Sequence, residues 1–227
     1  MLEYERTKKI IGDEGVEKLN KSSVLIVGIG GVGGSSLELL SRSGILNIAI
    51  MDYDTFEESN LNRQVLSLSN NIGKYKVDVA EDRIKLINEN INVIKIKDKL
   101  DINNVNNLPI TDYIIDACDD INAKVLLVKF ALKNNIKIIS SCGTGNRINP
   151  SLLTITNIWK TQYDPLAKKF RYILRKEHIS YKLPVVCSSE VPIIKQSGSV
   201  GSMGLVPNCC GIFLASYVIN DILKNKI

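Results

Sequence analysis

The sequence predicts an α/β protein: a doubly wound, mostly parallel, Rossmann-like sheet, with a C-terminal extension carrying a basic helix and a closing apolar helix. Three observations predict it. Residues 24–27 are consecutive apolar residues running straight into Gly28-x-Gly30-x-x-Gly33. Such a run reads as a strand buried on both faces, and the glycines let the chain turn into a helix against a phosphate. Strand-like and helix-like stretches then alternate as far as Ser141. Polar residues gather where those strands end, which is the edge at which such sheets bind ligands.

Each element has its own signal. Residues 1–22 are polar with a helical period at Ile10, Ile11, Val16 and Leu19, and predict a short helix. Arg6 and Lys9 on it are either solvated charges or reach a partner's active site. After the first strand, residues 32–43 predict a helix whose first N–H groups and dipole favour an anion. Residues 47–52 predict a second strand ending in Asp52, about 20 residues beyond the glycines, where an acid meets a ribose hydroxyl. A nucleotide is therefore expected, although the glycines do not say which. Residues 53–64 form a polar loop, with Asp54, Asn60, Asn62, Arg63 and Gln64 denser than a solvated loop requires. Arg63 is a fixed cation suited to phosphate oxygens.

Gly73 to Lys76 opens a helix running to about Asn90. Lys76 in its first turn opposes the helix dipole, which suggests an anionic ligand over a plain surface lysine. Residues 93–97 alternate like a strand. Residues 112–120 read as another, ending in Asp116, Asp119 and Asp120. Three carboxylates there could hold Mg²⁺; equally, Asp119 or Asp120 could be the N-cap of the helix 123–134. Residues 136–141 are a fifth strand, followed by a glycine-rich turn at 142–146.

The segment 159–182 differs in kind. Lys160, Lys168, Lys169, Arg171, Arg175, Lys176 and Lys182 face only Asp164 and Glu177, with Trp159, Tyr163, Phe170, Tyr172 and Tyr181 interleaved. Asp164-Pro165 starts a helix. A basic face with aromatics suits a nucleic-acid backbone and unstacked bases; the alternative is a solvated face above a docking stripe. Residues 185–190 read as a strand entering a loop, 198–204 as a third glycine-rich loop, and 205–223 as a closing core helix. The expected organisation is an N-terminal helical segment (1–22), a nucleotide-binding core (23–150), and a C-terminal part of the same domain (151–227).

Composition narrows the classes. The chain has 227 residues and a net charge of +5, a mild bias toward polyanions. The five cysteines are odd in number, lack any Cys-x-x-Cys, and accompany one histidine, His178. Reduced thiols in a cytoplasmic protein are expected, without structural zinc. No signal peptide or membrane span is predicted.

With these residues in view, the chain resembles the ThiF/MoeB/HesA superfamily of adenylating enzymes, bacterial relatives of the ubiquitin-activating enzymes. The resemblance rests on Gly28-x-Gly30-Gly31-Val32-Gly33, Asp52-x-Asp54, Ser59-Asn60-Leu61-Asn62-Arg63-Gln64, Gly73-x-x-Lys76 and Asp116-x-x-Asp119. Arg6-Thr7, Gly12-x-Glu14-Gly15, Lys18, residues 142–146, Lys160-Thr161, Asp164 to Ala167 and Ser189-Glu190 further resemble the subfamily of tRNA threonylcarbamoyladenosine dehydratases.

The resemblance implies ATP-dependent adenylation of the carboxylate of N6-threonylcarbamoyladenosine in tRNA. Ring closure to the cyclic form and release of AMP would follow. It implies that Gly28, Gly30, Gly31 and Gly33 cradle the nucleotide and that Asp52 binds the ribose. Asn60, Arg63 and Lys76 would hold phosphates, Asp54 and Asn62 would complete the nucleotide-binding set, and Asp119 would serve Mg²⁺ and activation. Arg6 would act across a homodimer. Electrostatic stabilisation fits this chemistry better than an acid–base pair, and no P-loop motif is present. The alternative is an adenylyltransferase activating the C-terminus of a ubiquitin-like sulfur-carrier protein, with a cysteine-desulfurase or sulfur-carrier-like partner. The absent zinc ligands and the basic 159–182 segment favour the tRNA enzyme. Cys187 is the best-placed thiol for an acyl transfer, but cyclisation needs no protein nucleophile. A nicotinamide oxidoreductase would need neither Arg63 nor Lys76, and a silent binding module would not need the whole polar set.

Overall fold

The computed structural model describes residues 4–193 and 200–224. Its strands are β1 (Ser23–Val27), β2 (Asn47–Met51), β3 (Asn92–Ile96), β4 (Tyr113–Asp116), β5 (Lys137–Ser141), β6 (Leu153–Asn157) and β7 (Pro184–Ser188). Its helices are α1 (Glu5–Lys21), α2 (Gly31–Ser43), α3 (Lys76–Ile87), α4 (Ile121–Lys133), α5 (Pro165–Lys176) and α6 (Leu205–Ile222). The strands form one sheet in the order β3-β2-β1-β4-β5-β7-β6. All neighbours are parallel except β6, which runs antiparallel to β7. This is the predicted doubly wound sheet, with both the basic and the closing apolar helix in place.

The order decides where a ligand can sit. From β1 the chain steps outward through β2 to β3, then returns to place β4 on the other side of β1. Loops leaving β1 and β4 diverge there and open a crevice beyond the strand ends.

The apolar run of β1 is explained by two cores. Val24 and Ile26 pack into the layer under α2, α3 and α6, while Leu25 and Val27 pack into the layer under α4 and α5. None of the four is more than 4% exposed. A strand covered on both faces has no polar side to show.

α6 closes the first layer by lying close on α2. A Cβ on Gly211 would stand 2.2 Å from the Val32 carbonyl oxygen, so only glycine permits this approach. The Ser36 hydroxyl donates to the Gly211 carbonyl at 3.0 Å, and Ser35 Oγ donates to Asn208 Oδ1 at 2.7 Å. By length and composition α6 could cross a membrane, but here it is a core-facing helix whose Val206, Cys210, Leu214 and Val218 are buried.

Three differences from the expectation are local. α1 is interrupted at Gly12, whose φ of 71° and ψ of 175° are not helical. α3 starts at Lys76 itself, because Tyr75 (ψ 134°) is still extended. Residues 153–157 were not expected to be a strand, yet form β6 at the sheet edge. The signal was there, a Leu-Thr-Ile-Thr alternation in a segment of the same length as the five-residue β3.

Candidate active site

A cleft of about 850 Å³ opens at the C-terminal ends of β1, β2, β4 and β5. The glycine turn forms its floor. Gly28 has φ +91°, a conformation L side chains rarely adopt, and its N–H donates to the Met51 carbonyl at 2.8 Å. A Cβ on Gly33 would lie 1.8 Å from the Gly28 carbonyl oxygen. Gly33 thus seats α2 on the turn and does not face the cleft, whereas Gly28, Gly30 and Gly31 do. Val27, Met51, Leu100 and Ala123 supply an apolar wall.

Asp52 lines the cleft and is 8% exposed. Its carboxylate accepts the Ile29 N–H at 2.6 Å and the Asp54 N–H at 2.9 Å, tying the end of β2 to the glycine turn. Burial raises its pKa above the usual carboxylate range, opposed by the Lys76 ammonium and the two backbone donors. Lys76, 6% exposed, reaches the cleft from the first residue of α3, where Asp54 holds it by a 2.9 Å ion pair. Asp54 therefore orients the cation.

Arg63 and Asn62 line the same wall. The Arg63 guanidinium donates to the Ser59 carbonyl at 2.5 Å and to Asn62 Oδ1 at 2.9 Å, leaving other N–H groups of the fork for a ligand. Asn60 behaves otherwise. It is buried, accepts the Glu57 N–H at 3.2 Å, and does not line the cleft. It shapes the loop that carries Arg63, because an amide at that position caps a tight turn. Gln64, given no separate role by the sequence, lines the cleft, and its buried Oε1 has no hydrogen-bond partner among the described residues.

The expected three-carboxylate tip resolves into three separate jobs. Asp120 is the N-cap of α4, accepting from the N–H of Asn122 at 2.7 Å and of Ala123 at 3.2 Å. Asp116 is fully buried, with both carboxylate oxygens 3.1 Å from the equally buried Lys124 ammonium. Lys124 also donates to the Ser141 carbonyl at 2.9 Å, joining the ends of β4 and β5. Burial alone would lower the Lys124 pKa, but the Asp116 charge outweighs it and holds the ammonium above its usual range. Asp119 alone is left exposed in the cleft. No cluster of three or more metal-ligating side chains exists among the described residues. One free carboxylate beside a phosphate site fits Mg²⁺, which keeps waters and takes one or two carboxylates plus phosphate oxygens. Lys124 was missed because α4 also carries the exposed Lys129 and Lys133; the available signal was that Lys124 shares a helix face with the apolar Leu127, Val128 and Ala131.

The far end of the cleft is lined by Ser141 to Gly145, Leu166, Val200 and Ser202. Its organiser, Arg147, is 3% exposed and was not singled out from the sequence. Its guanidinium donates to the carbonyls of Ser188 (3.1 Å), Tyr163 (3.1 Å) and Glu190, and pairs with Asp164 Oδ2 at 3.0 Å. Asp164 is in turn the N-cap of α5, accepting the Ala167 N–H at 2.7 Å. The Glu190 carboxylate accepts the N–H of Ile148 at 3.1 Å and of Asn149 at 3.0 Å. In the glycine-rich 198–204 loop, Gly198 and Ser199 lie outside the described residues; Asn62 donates to the Ser202 carbonyl, and Gly201 donates to Asn146 Oδ1.

Cys187 is buried in the α4–α5 core and does not line the cleft. Cys142 does line it, but its hydrogen bond with Cys187 and its burial push the thiol well above the usual range. The same contact with Cys142 lowers the Cys187 thiol, but Cys187 is buried off the cleft where no substrate meets it, and the raised Cys142 thiol is a poor source of the thiolate a nucleophile needs. On α5, Ala167, Phe170 and Leu174 face inward, while Lys168, Lys169, Arg175 and Lys176 are exposed, as is Lys160 just before it. Arg171 is a correction to the expected basic face: half-buried, it donates to the Thr161 carbonyl at 3.1 Å and to the Thr161 hydroxyl, fastening the loop below. Arg6 is exposed in the first turn of α1, away from this chain's cleft. Tyr4 beside it is tied to Asn88 past the end of α3, at the opposite edge of the sheet.

A nucleotide-sized cleft at the switch point, ringed by fixed cations and carboxylates, is the site of an adenylating, ThiF-type Rossmann protein. Residues 4–223 match the ThiF family, and the chain belongs to it. It is similar to the tRNA threonylcarbamoyladenosine dehydratase of Bacillus subtilis, at 36% identity over 98% of this chain and 95% of that protein. The Haemophilus influenzae protein of the same name is 32% identical over 94% of this chain and 90% of its own. Among solved structures, the E. coli dehydratase in complex with AMP superposes with a TM-score of 0.92 at 29% identity, covering 96% of this chain and 93% of that one. Its complex with ATP gives 0.92 at 28% identity, covering 98% and 94%.

Proposed function

We propose that this chain is an ATP-dependent dehydratase that adenylates the carboxylate of N6-threonylcarbamoyladenosine in tRNA and closes it to the cyclic form. The observation that carries the reading is the cleft's two-ended build. One end is lined by Asp52, Arg63, Lys76 and Asp119, and the other opens beside the N-terminus of the basic helix α5. The likeness to dehydratases of this name over nearly the whole chain supports it.

In this reading Asp52 accepts from the ribose hydroxyls. Gly30 and Gly31 let the pyrophosphate lie against the start of α2, where free N–H groups meet it. The substrate carboxylate attacks the α-phosphorus, the acyl adenylate forms, and pyrophosphate leaves. Charge grows on the phosphoryl oxygens during that step, and Arg63 and Lys76 are fixed cations placed to meet it. When bound through Asp119, Mg²⁺ supplies further neutralisation of that charge. A nucleophile within the modified nucleoside then attacks the activated carbonyl and expels AMP, with net loss of one water. No protein thiol is needed, in keeping with the buried Cys187. The exposed lysines of α5 and Lys160 hold the RNA backbone. We further infer a cytoplasmic homodimer in which Arg6 of one copy serves the cleft of the other, since Arg6 is remote from its own.

The test is incubation of the purified protein with ATP, Mg²⁺ and tRNA bearing threonylcarbamoyladenosine, followed by nucleoside mass analysis. The expected product is lighter by one water and depends on ATP. An unchanged nucleoside mass, with pyrophosphate exchange appearing only on addition of a carrier protein's C-terminus, would overturn the reading.

A further inference from the structure

A second hollow of about 410 Å³ lies outside the cleft, lined by Trp159, Arg175, His178, Ile179 and Ser180. That volume is within the range of about 300–1,000 Å³ typical of small-ligand sites. Its wall is built and not incidental. The Trp159 indole N–H donates to the Tyr181 carbonyl at 2.9 Å, which pins one edge of the ring. The Arg175 guanidinium lies 5.4 Å from the ring centroid. His178, at φ +55°, ends α5 with a left-handed turn, its N–H donating to the Arg175 carbonyl at 3.0 Å. Three planar groups thus meet at one open hollow.

Ordinary peptide recognition does not need that combination. An aromatic ring beside a guanidinium is a stacking platform for a flat heteroaromatic ring, and every nucleobase offers one. The surroundings are cationic: Lys160 precedes the hollow, Lys176 lies on the same helix, and Lys182 follows it, all exposed. Glu177, the acid closest in sequence, is paired with Lys129 at 2.7 Å. A ring carried on a phosphate backbone matches both the platform and the charge.

We propose that this hollow takes one unpaired base of the bound RNA, stacked on the Trp159–Arg175 pair, as a second anchor besides the cleft. The proposal rests on the reading of the protein as an RNA-modifying enzyme and specifies how the basic segment grips its substrate. It requires single-stranded character at one point of the RNA, because a base inside a duplex has no free face.

Trp159 is the chain's only tryptophan, so intrinsic fluorescence reports on the hollow directly. The native protein is titrated with a short RNA hairpin bearing an unpaired loop, and separately with a blunt RNA duplex of equal charge. The expected result is saturable quenching by the hairpin and none by the duplex. Trp159→Ala should bind the hairpin about tenfold more weakly, the loss of one stacked base, and Trp159→Phe should recover most of it. An unchanged melting curve shows each variant to be folded. Hairpin binding that leaves the fluorescence unmoved, or equal quenching by the duplex, overturns this inference while leaving dehydration of tRNA intact. A native protein that binds neither RNA and leaves the nucleoside mass unchanged overturns both.

Discussion

The two ends of the cleft are built by different means. At the nucleotide end, each functional side chain is held within its own loop or by a single contact to the neighbouring strand end. Asp52 grips the amides of Asp54 and of Ile29, 23 residues away, Arg63 grips Ser59 and Asn62 in its own loop, and Lys76 pairs with Asp54, 22 residues away. At the far end, one buried arginine gathers chain from three loops. Arg147 reaches Ser188 and Glu190, 41 and 43 residues away, and Asp164, 17 residues away. The first end spreads its contacts over several side chains, while the second hangs on one residue with four partners. The first should lose chemistry when altered, and the second should lose structure.

The largest expected effect breaks the comparison at its chemical end. Arg63→Ala should lower AMP formation by about 10³-fold or more, since the removed cation faces developing phosphoryl charge. Its melting temperature should stay close to native, because the side chain's bonds are to its own loop. Rapid-quench assay of AMP, beside a thermal melt, checks both, and an active Arg63→Ala would sink the assigned site. Next, Arg147→Ala should destabilise the fold by about 3–5 kcal/mol, because it leaves the Asp164 carboxylate buried and unpaired. Chemical denaturation measures this. ATP binding to the remaining folded protein should be retained, which calorimetry tests; a loss of ATP affinity as large as the loss of stability would erase the distinction between the two ends.

A pH dependence sharpens the nucleotide end. Burial raises the Asp52 pKa, so on acidification the group protonates earlier than an ordinary carboxylate of about 3.9. Once protonated it is a poorer ribose acceptor. Adenosine affinity, which involves no phosphate titration, should therefore start to fall above that value, and Asp52→Asn should flatten the profile. A native profile that breaks only at or below the ordinary value would remove Asp52 from the ribose. The smallest effect concerns the basic helix. Lys168→Ala and Lys176→Ala should each weaken tRNA binding modestly and reduce the slope of log affinity against log salt by about 1. Arg171→Ala should instead act on stability, because its guanidinium is committed to Thr161. Filter binding across a salt series separates the two behaviours.

The same contrast explains how much was legible in the sequence. The sheet, the glycine turn and the positions of Asp52, Arg63 and Lys76 in one cleft followed from short-range patterns: an apolar run, glycines, an acid at a strand end, and cations in a polar loop and a first helical turn. The choice of Asp119 over Asp120 came from the family resemblance. Lys124 and Arg147 followed from neither, because their partners are fixed only when strands pair. A lysine on the apolar face of α4 reads as a flaw until Asp116 is seen beneath it. Asn60 and Arg171 were read as ligand-facing because of their type and neighbourhood, but side chains of these types also fasten turns. β6 was missed although its five-residue alternation is as long as that of residues 93–97, which was read as a strand.

Arg147 has a further consequence for how the chain is made. Every group it binds lies downstream of it, so it leaves the ribosome before any partner exists. β1, β2, β3, β4 and β5 are by then complete and can pair in order, which gives the nascent chain its nucleotide end. β5 meanwhile presents an open, hydrogen-bond-ready edge, and the next strand synthesised, β6, is not its partner. That edge waits for β7, some 40 residues later, and two of the arginine's four partners, Ser188 and Glu190, arrive with that strand. Among the strand pairs, those made by β7 are therefore the last to close during biosynthesis, and the waiting edge of β5 is where a folding helper or a misplaced strand has the longest time to act.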